Sequence, residues 1–282
     1  MDTLQKARLL SDASRYDSCG PKVCNVDLQQ DLGGIINAKA EHKDCRMLKT
    51  LMTNACSFDC RYCTNRSGCG KRKATYRPDE LANLFMHLRQ KHQVNGLFLS
   101  SGVAGDPDRT TEKMLEAARL LRHKHRFKGY LHFKVLPGTS YELVKQASEL
   151  ASRMSVNIEA PNKGVLAELA SNKDFKRDIL RRQAWVKRMK LPGGQSTQVI
   201  VNDMATDEDI LKMIRWEYDE MELRRMYYSA FRPVEDTPLA KEESTPAWRE
   251  HRLYNVDFLY RRYDFKYEEL RGAMDEGMLP RE

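Results

Sequence analysis

From about residue 47 onward, short apolar runs alternate with longer stretches whose apolar residues recur at helical spacing. Strands are predicted over residues 47–53, 96–101, 129–135, 154–159, 197–202 and 225–231. Pro78 opens the first intervening helix, with Asp79 and Glu80 in its first turn and Leu81, Leu84, Phe85 and Leu88 along one face. A second helix is expected over about 108–122. Thr139 and Glu142 have the spacing of a capping box for a third, whose apolar stripe is Leu143, Val144, Ala147 and Leu150. Residues 163–190 read as a basic, broken helix; Thr206, followed by Asp207, Glu208 and Asp209, caps the next. Pro246 opens a last helix that runs to about Tyr263. Such alternation demands a parallel sheet with right-handed crossovers. Six strands are too few for an eight-fold barrel. The expected fold is therefore α/β, a partial (β/α)6 TIM-like barrel, with a doubly wound sheet as second choice. Residues 1–46 are expected as an irregular extension with a helix over Thr3 to Leu10, 47–235 as the barrel, and 236–282 as a C-terminal helical extension.

Two of these strands break the pattern expected of a sheet covered by helices, which is nearly all apolar. Ser155, Asn157 and Glu159 share one face of 154–159, and His132 and Lys134 share one face of 129–135. Leaving such groups buried and unpaired costs roughly 1–3 kcal/mol each. They must bond one another, water or a ligand. Ligands of these folds collect at the carboxyl ends of the strands. Asn54, Ser100, Ser101, Gly102, Glu159 and Asn202 all fall there.

The cysteines make the ligand reading the stronger one. Cys56, Cys60 and Cys63 follow the first strand at C-x3-C-x2-C spacing, with Tyr62 just before the last. A structural zinc site wants four ligands at closer pairing. Iron–sulfur clusters take thiolates in such short runs, normally four. Three thiolates on a four-iron cluster leave one iron open to a small molecule. Cys69 is a potential fourth ligand that would close that position. Cys19, Cys24 and Cys45 could hold a second metal or stay free thiols.

Composition narrows the compartment and, weakly, the partner. No apolar run approaches a membrane span of about 18 residues. The N-terminus shows no signal-peptide pattern, and seven cysteines is an odd number for a disulfide framework. A cytoplasmic protein without membrane contact is expected. The net charge of +8 favours a polyanionic partner such as nucleic acid. Three basic runs contribute: 66–77 with Lys71, Arg72 and Lys73, 119–128, and 173–190. Each is most simply a solvated face, but the first directly follows the cysteine loop.

The cysteine motif with Tyr62 resembles the signature of the radical S-adenosylmethionine (radical SAM) enzymes, and the expected partial barrel is the fold they use. The resemblance implies an oxygen-sensitive [4Fe–4S] cluster on Cys56, Cys60 and Cys63 that cleaves S-adenosylmethionine to a 5′-deoxyadenosyl radical. It also implies an electron donor such as a flavodoxin or ferredoxin. Leu99 to Gly102 stands where that superfamily has a Gly-Gly-Glu strand end; the Glu is missing, so Ser100, Ser101 and Gly102 would serve the methionyl amino group. Asn157 and Glu159 resemble the ribose-contacting strand, and Gln198 to Asp203, with Gln198 and Asn202 as its candidate contacts, stands where an adenine-binding strand would be. Several segments, among them Leu51 to Cys56, Gly96 to Val103, Gly194 to Gln198, Tyr227 to Phe231 and Arg249 to Tyr254, are similar to the DNA modification/repair radical SAM proteins. That likeness implies a nucleic-acid substrate and a partner related to uracil-DNA glycosylase. Members are longer, so the chain is expected to be a short member or a piece of one.

Lys134, His132 and Tyr228 are the candidate catalytic residues. A protonated Lys134 would bind the methionyl carboxylate or a substrate anion, or else pair with Glu159. Tyr227, Tyr228 and Trp248 are candidates to stack an extruded base, or else core. Two other readings stay open: a radical SAM enzyme acting on a peptide or small metabolite, and a non-catalytic, metal-stabilised nucleic-acid binder.

Overall fold

The computed structural model describes residues 1–14, 34–39 and 44–281. Its centre is one seven-stranded sheet in sequential order: β1 (Ile35–Lys39), β2 (Asp44–Leu51), β3 (Gly96–Ser100), β4 (Tyr130–Lys134), β5 (Arg153–Ser155), β6 (Gln195–Val201) and β7 (Arg225–Ala230). From β2 to β7, each strand is parallel to the next. Helices α2 (Pro78–Gln90), α3 (Pro107–Arg119), α4 (Tyr141–Leu150), α5 (Lys163–Leu169), α6 (Arg181–Arg188) and α7 (Asp207–Asp219) carry the crossovers. This is the expected partial barrel, open between β7 and β1.

The N-terminal extension contributes the helix expected from Thr3 and one strand that was not expected. Helix α1 (Thr3–Ala13) is fastened to α2 by the Lys6–Glu80 ion pair at 2.7 Å. Strand β1 pairs antiparallel with β2, Ile35 opposite Leu48 through Lys39 opposite Asp44. Its five residues are too few for periodicity to register, and the sheet edge creates it. Cys19 and Cys24 lie outside the described residues.

Local chemistry explains most helix starts. Pro78 is the first residue of α2, and Thr206 caps α7 through Asp209 in a reciprocal box. The capping box expected at Thr139 does not form. Ser140 is the N-cap of α4, and the Thr139 hydroxyl bonds that of Thr111 at 3.0 Å instead. Both hydroxyls are buried there, and each satisfies the other. The basic stretch 163–190 is broken as expected: α5, then a π-helical turn (Phe175–Leu180), then α6. After β7, α8 (Ala247–Tyr263) and the short α9 (Tyr267–Gly272) follow. No helix among the described residues is long and apolar enough to cross a membrane.

The core lies between sheet and helices. β3 and β6 are buried along their whole lengths. A fully buried Arg249 on α8 locks the β6–α7 loop. It donates to Asp207 Oδ1 at 2.7 Å and to the carbonyls of Asn202 at 2.8 Å and Ala205 at 2.6 Å. Asp207 Oδ2 accepts from the Leu279 amide at 2.9 Å, so the C-terminal segment closes the same knot.

Candidate active site

A cavity of about 390 Å³ opens at the carboxyl ends of the strands. That size falls within the range of about 300–1,000 Å³ usual for small-molecule sites. Leu51, Ser100, Lys134, Gln198 and Ser229 reach it from β2, β3, β4, β6 and β7, and Cys56, Cys60, Tyr62 and Cys63 from the loop after β2. A larger groove of about 830 Å³ runs along α3, but no thiol borders it.

The cysteine loop is held on both sides. Toward β3, the Ser57 amide donates to the Val103 carbonyl at 2.7 Å, and the Gly105 amide to Ser57 Oγ at 2.8 Å. Gly102 makes this approach possible: a Cβ there would stand 2.5 Å from the Ala55 carbonyl oxygen and 3.2 Å from Cys56 Cβ. The glycine expected to admit a ligand thus also admits the cysteine loop. Toward α5, Asp59 binds the Ser171 hydroxyl and the Asn172 amide, and the Arg61 amide donates to the Leu169 carbonyl at 2.8 Å. Asn54 lies below the loop. Its Oδ1 accepts from the Ala74 amide at 2.7 Å and its Nδ2 donates to the Arg72 carbonyl at 2.9 Å, tying down the basic segment 71–73.

Cys56, Cys60 and Cys63 carry free thiols. The sulfurs of Cys56 and Cys63 accept from backbone amides, Val103 N at 3.5 Å and Asn65 N at 3.4 Å, while that of Cys60 is hydrogen-bonded by the side chains of Lys173 and Tyr62. Among the described residues no three His, Cys, Asp or Glu side chains converge on a single-ion site. The three thiols border one cavity, and iron–sulfur clusters take thiolates from such short runs. Burial pushes Cys63 up to about 12, with Cys60 and Cys56 adding to it. Burial also raises Cys60, against the pull of Lys173. Cationic iron reverses this balance and holds bound thiols deprotonated. The three residues therefore fit a [4Fe–4S] cluster. Cys69 does not border the cavity, and Cys45 sits at the amino end of β2, bonded to Asn95 Oδ1 at 3.2 Å.

Of the residues expected to bind a cofactor, Tyr62, Ser100, Ser101, Gly102, Asn157, Glu159 and Gln198 border the cavity. β5 is shorter than expected, ending at Ser155. Glu159 is held instead by its own bridge to β6, donating its amide to the Gln198 carbonyl and accepting from the Ile200 amide, each at 2.9 Å. It adopts φ +64°, a conformation uncommon for a non-glycine residue and often found at functional sites. Asn202 does not reach the cavity. Its Oδ1 turns back to the Met204 amide at 3.0 Å, shaping the loop that Arg249 locks.

The catalytic candidates divide. Lys134 borders the cavity. His132 sits one step deeper, bonded to Ser155 Oγ at 2.9 Å and edge-on to Phe98 at 4.5 Å, and is only 6% exposed. Tyr228 faces the opposite way: its hydroxyl meets Asp257 of α8 at 3.2 Å, and its ring packs on Tyr254 at 4.9 Å. It belongs to a buried network with Tyr218 and Arg225 around Asp257. Tyr227 and Trp248 do not border the cavity either. Tyr227 and Tyr228 must alternate across the strand, and α8 claims the face of Tyr228.

One residue of the site went unrecognised in the sequence. Lys173, part of a basic run read as a solvated face, lies in the cavity wall with its side chain 6% exposed. Its Nζ is 4.0 Å from Glu159 Oε1 and 5.3 Å from the centre of the Phe58 ring. Burial works against its charge, but Cys60 and Glu159 outweigh burial and raise its pKa overall. Glu159 thus has a cationic partner, Lys173, that the sequence did not announce. The latch of Ser171 and Asn172 on Asp59 turns Lys173 inward, and no local pattern announces it. Glu250, which accepts from the Ala230 amide at 2.8 Å, reaches the cavity from α8.

The family described as Radical SAM superfamily matches residues 50–216, more than half of the 282 residues. No curated protein sequence matches the chain. Similar solved structures include the FeFe-hydrogenase maturase HydG from Carboxydothermus hydrogenoformans, with TM-score 0.61 and 10% identity over 76% of this chain and 52% of that one. Methylornithine synthase (PylB) has TM-score 0.64 and 12% identity over 76% of this chain and 61% of its own. Streptococcus suis SuiB, solved bound to S-adenosylmethionine, has TM-score 0.60 and 11% identity, covering 76% and 48%. This chain thus spans between 48% and 61% of their lengths, and at these identities the likeness is one of fold. With its cysteine-lined cavity at the open end of a partial barrel, and with the family matched over its centre, the chain belongs to the radical SAM superfamily of enzymes.

Proposed function

We propose that this enzyme carries out radical SAM chemistry on a nucleic acid or one of its components. Membership of the family implies a [4Fe–4S] cluster and S-adenosylmethionine. When bound, they supply a 5′-deoxyadenosyl radical on receiving one electron from a donor such as a flavodoxin or ferredoxin. Cys56, Cys60 and Cys63 hold the cluster, with Tyr62 beside it. Ser100, Ser101 and the backbone at Gly102 receive the methionyl end of S-adenosylmethionine. Asn157 and Glu159 receive its ribose, and Gln198 its adenine. Lys134, at the cavity, is placed to hold an anionic group of cofactor or substrate. The role of the metal-stabilised, non-catalytic binder falls with family membership.

The observation that carries the substrate class is the exposed segment Lys71-Arg72-Lys73. It is bound to the cysteine loop through Asn54 and through Lys73 Nζ on the Asn65 carbonyl at 3.2 Å, and Asn65 borders the cavity. A fixed basic rim at the mouth steers phosphates toward the site. The similarity of several segments to DNA modification/repair radical SAM proteins supports the same substrate, and with it a uracil-DNA-glycosylase-related partner.

Affinity for DNA or RNA should fall with salt. The log–log slope should flatten by up to about one unit per lost phosphate contact in a Lys71→Ala/Arg72→Ala/Lys73→Ala variant. Equal slopes would remove the rim from the proposal. Deuterium appearing in 5′-deoxyadenosine from labelled DNA, RNA or nucleosides would identify the substrate. Transfer only from a labelled peptide or metabolite would overturn the nucleic-acid reading and leave the enzyme class intact.

A further inference from the structure

We propose that Lys173 and Glu159 form a charge pair that sets the reduction potential of the cluster held by Cys56, Cys60 and Cys63. This rests on the radical SAM reading of those thiols. Lys173 Nζ sits in the cavity wall between Glu159, at 4.0 Å, and the ring of Phe58 on the cysteine loop, at 5.3 Å. Its side chain is 6% exposed and that of Glu159 12%, so solvent screens neither charge well. Cys60, the most deeply buried of the three ligands, has Lys173 among its charged neighbours.

Cluster potentials follow net charge, hydrogen bonds to the sulfurs and solvent exposure. The one-electron reduction adds negative charge to a site that already carries three thiolates. A fixed cation beside one of them favours the reduced state and raises the potential. A carboxylate beside that cation cancels part of its effect. The pair therefore acts in opposite directions through its two members. The backbone that carries each is anchored. Glu159 is pinned between the Gln198 carbonyl and the Ile200 amide, and Lys173 follows directly on the Ser171–Asn172 latch to Asp59. Because that latch also holds the cysteine loop, the cation and the ligand loop keep a fixed relation.

The test is a potentiometric titration of anaerobically reconstituted protein, without S-adenosylmethionine, with dithionite as reductant and the reduced cluster followed by EPR. Lys173→Met should lower the ratio of reduced to oxidised cluster about tenfold at fixed potential, a 59 mV fall for one electron. Glu159→Gln should move it the other way by a similar factor, and Lys173→Arg should stay near wild type. A structural role would not give shifts of opposite sign. Unmoved midpoints in Lys173→Met and Glu159→Gln would overturn the proposal. So would loss of the cluster from Lys173→Met with Lys173→Arg and Glu159→Gln unshifted, which would assign Lys173 to holding the loop. If wild-type protein takes up a four-iron cluster and cleaves S-adenosylmethionine while the variants do not shift, the radical SAM reading stands and the charge-pair proposal alone fails. If wild type does neither, the reading itself fails and takes the proposal with it.

Discussion

Replacing Arg249 by Met should cost this protein a large part of its stability. The side chain is 2% exposed, and its partner Asp207 is fully buried. Removing one member of a buried ion pair typically costs about 3–5 kcal/mol, because the other charge stays behind unpaired. Asp207 keeps the Leu279 amide on one oxygen but loses the 2.7 Å bond on the other. The carbonyls of Asn202 and Ala205 also lose their donor, and no neighbour in the buried loop replaces it. The upper half of that range is therefore expected, against a total of about 5–15 kcal/mol for a typical protein. With a urea slope of about 3 kcal/mol per molar, the midpoint should fall by roughly 1.3–1.7 M. Equilibrium urea unfolding at neutral pH measures this directly. Asp207→Asn in the Arg249→Met background should recover part of the loss, since the stranded charge is gone, with a coupling of roughly 1–3 kcal/mol. Arg249→Lys should fall between, keeping the charge but losing the fork that reaches four acceptors, the Asp203 carboxylate among them. A loss below about 1 kcal/mol for Arg249→Met, or strict additivity with Asp207→Asn, would refute the assignment of Arg249 as the lock of the β6–α7 loop.

Gly102→Ala should displace the cysteine loop, because the added methyl would stand 2.5 Å from the Ala55 carbonyl oxygen, a backbone atom. Overpacking of this kind costs about 1–3 kcal/mol, and iron uptake on reconstitution should fall with it; full iron content and an unchanged melting curve would contradict the close approach. Glu217, fully buried on α7 with its Oε1 accepting from Gln183 Nε2 at 2.9 Å, has its carboxyl pushed up to about 8 by burial. The folded state then holds a proton that the unfolded state has already released. This stabilisation is complete below the ordinary carboxylate range and is lost as pH rises toward 8, by at most about 1.4 kcal/mol per pH unit. Glu217→Gln should remove that slope between about pH 4.5 and 8, and pH-dependent urea unfolding that is identical in both proteins would disprove it.

The part of this molecule that the chain determines by itself is the part written in local patterns. Strand–helix alternation, Pro78 at the head of α2 and Thr206 at the head of α7 are set by covalent geometry and by bonds within a few residues. The C-x3-C-x2-C spacing is equally local, since three sulfurs that close in sequence stay close in any fold. Alternation also puts Lys134 beside His132, and Glu159 beside Asn157, on one face of each run before any packing is known. What the tertiary structure decided depends on partners far away in the chain. Tyr228 turned from the cavity because α8 supplies Asp257 and Tyr254 on the outer face. His132 found Ser155 within the sheet. Thr139 gave up a helix cap for Thr111. Lys173 became part of the site because a latch more than a hundred residues from its target folds it onto the cysteine loop. The same sequence of charges on a different surface would have left it in solvent. Propensity and spacing act over a few residues. Which of two neighbouring side chains faces a ligand is settled only when the elements that compete for them are in place.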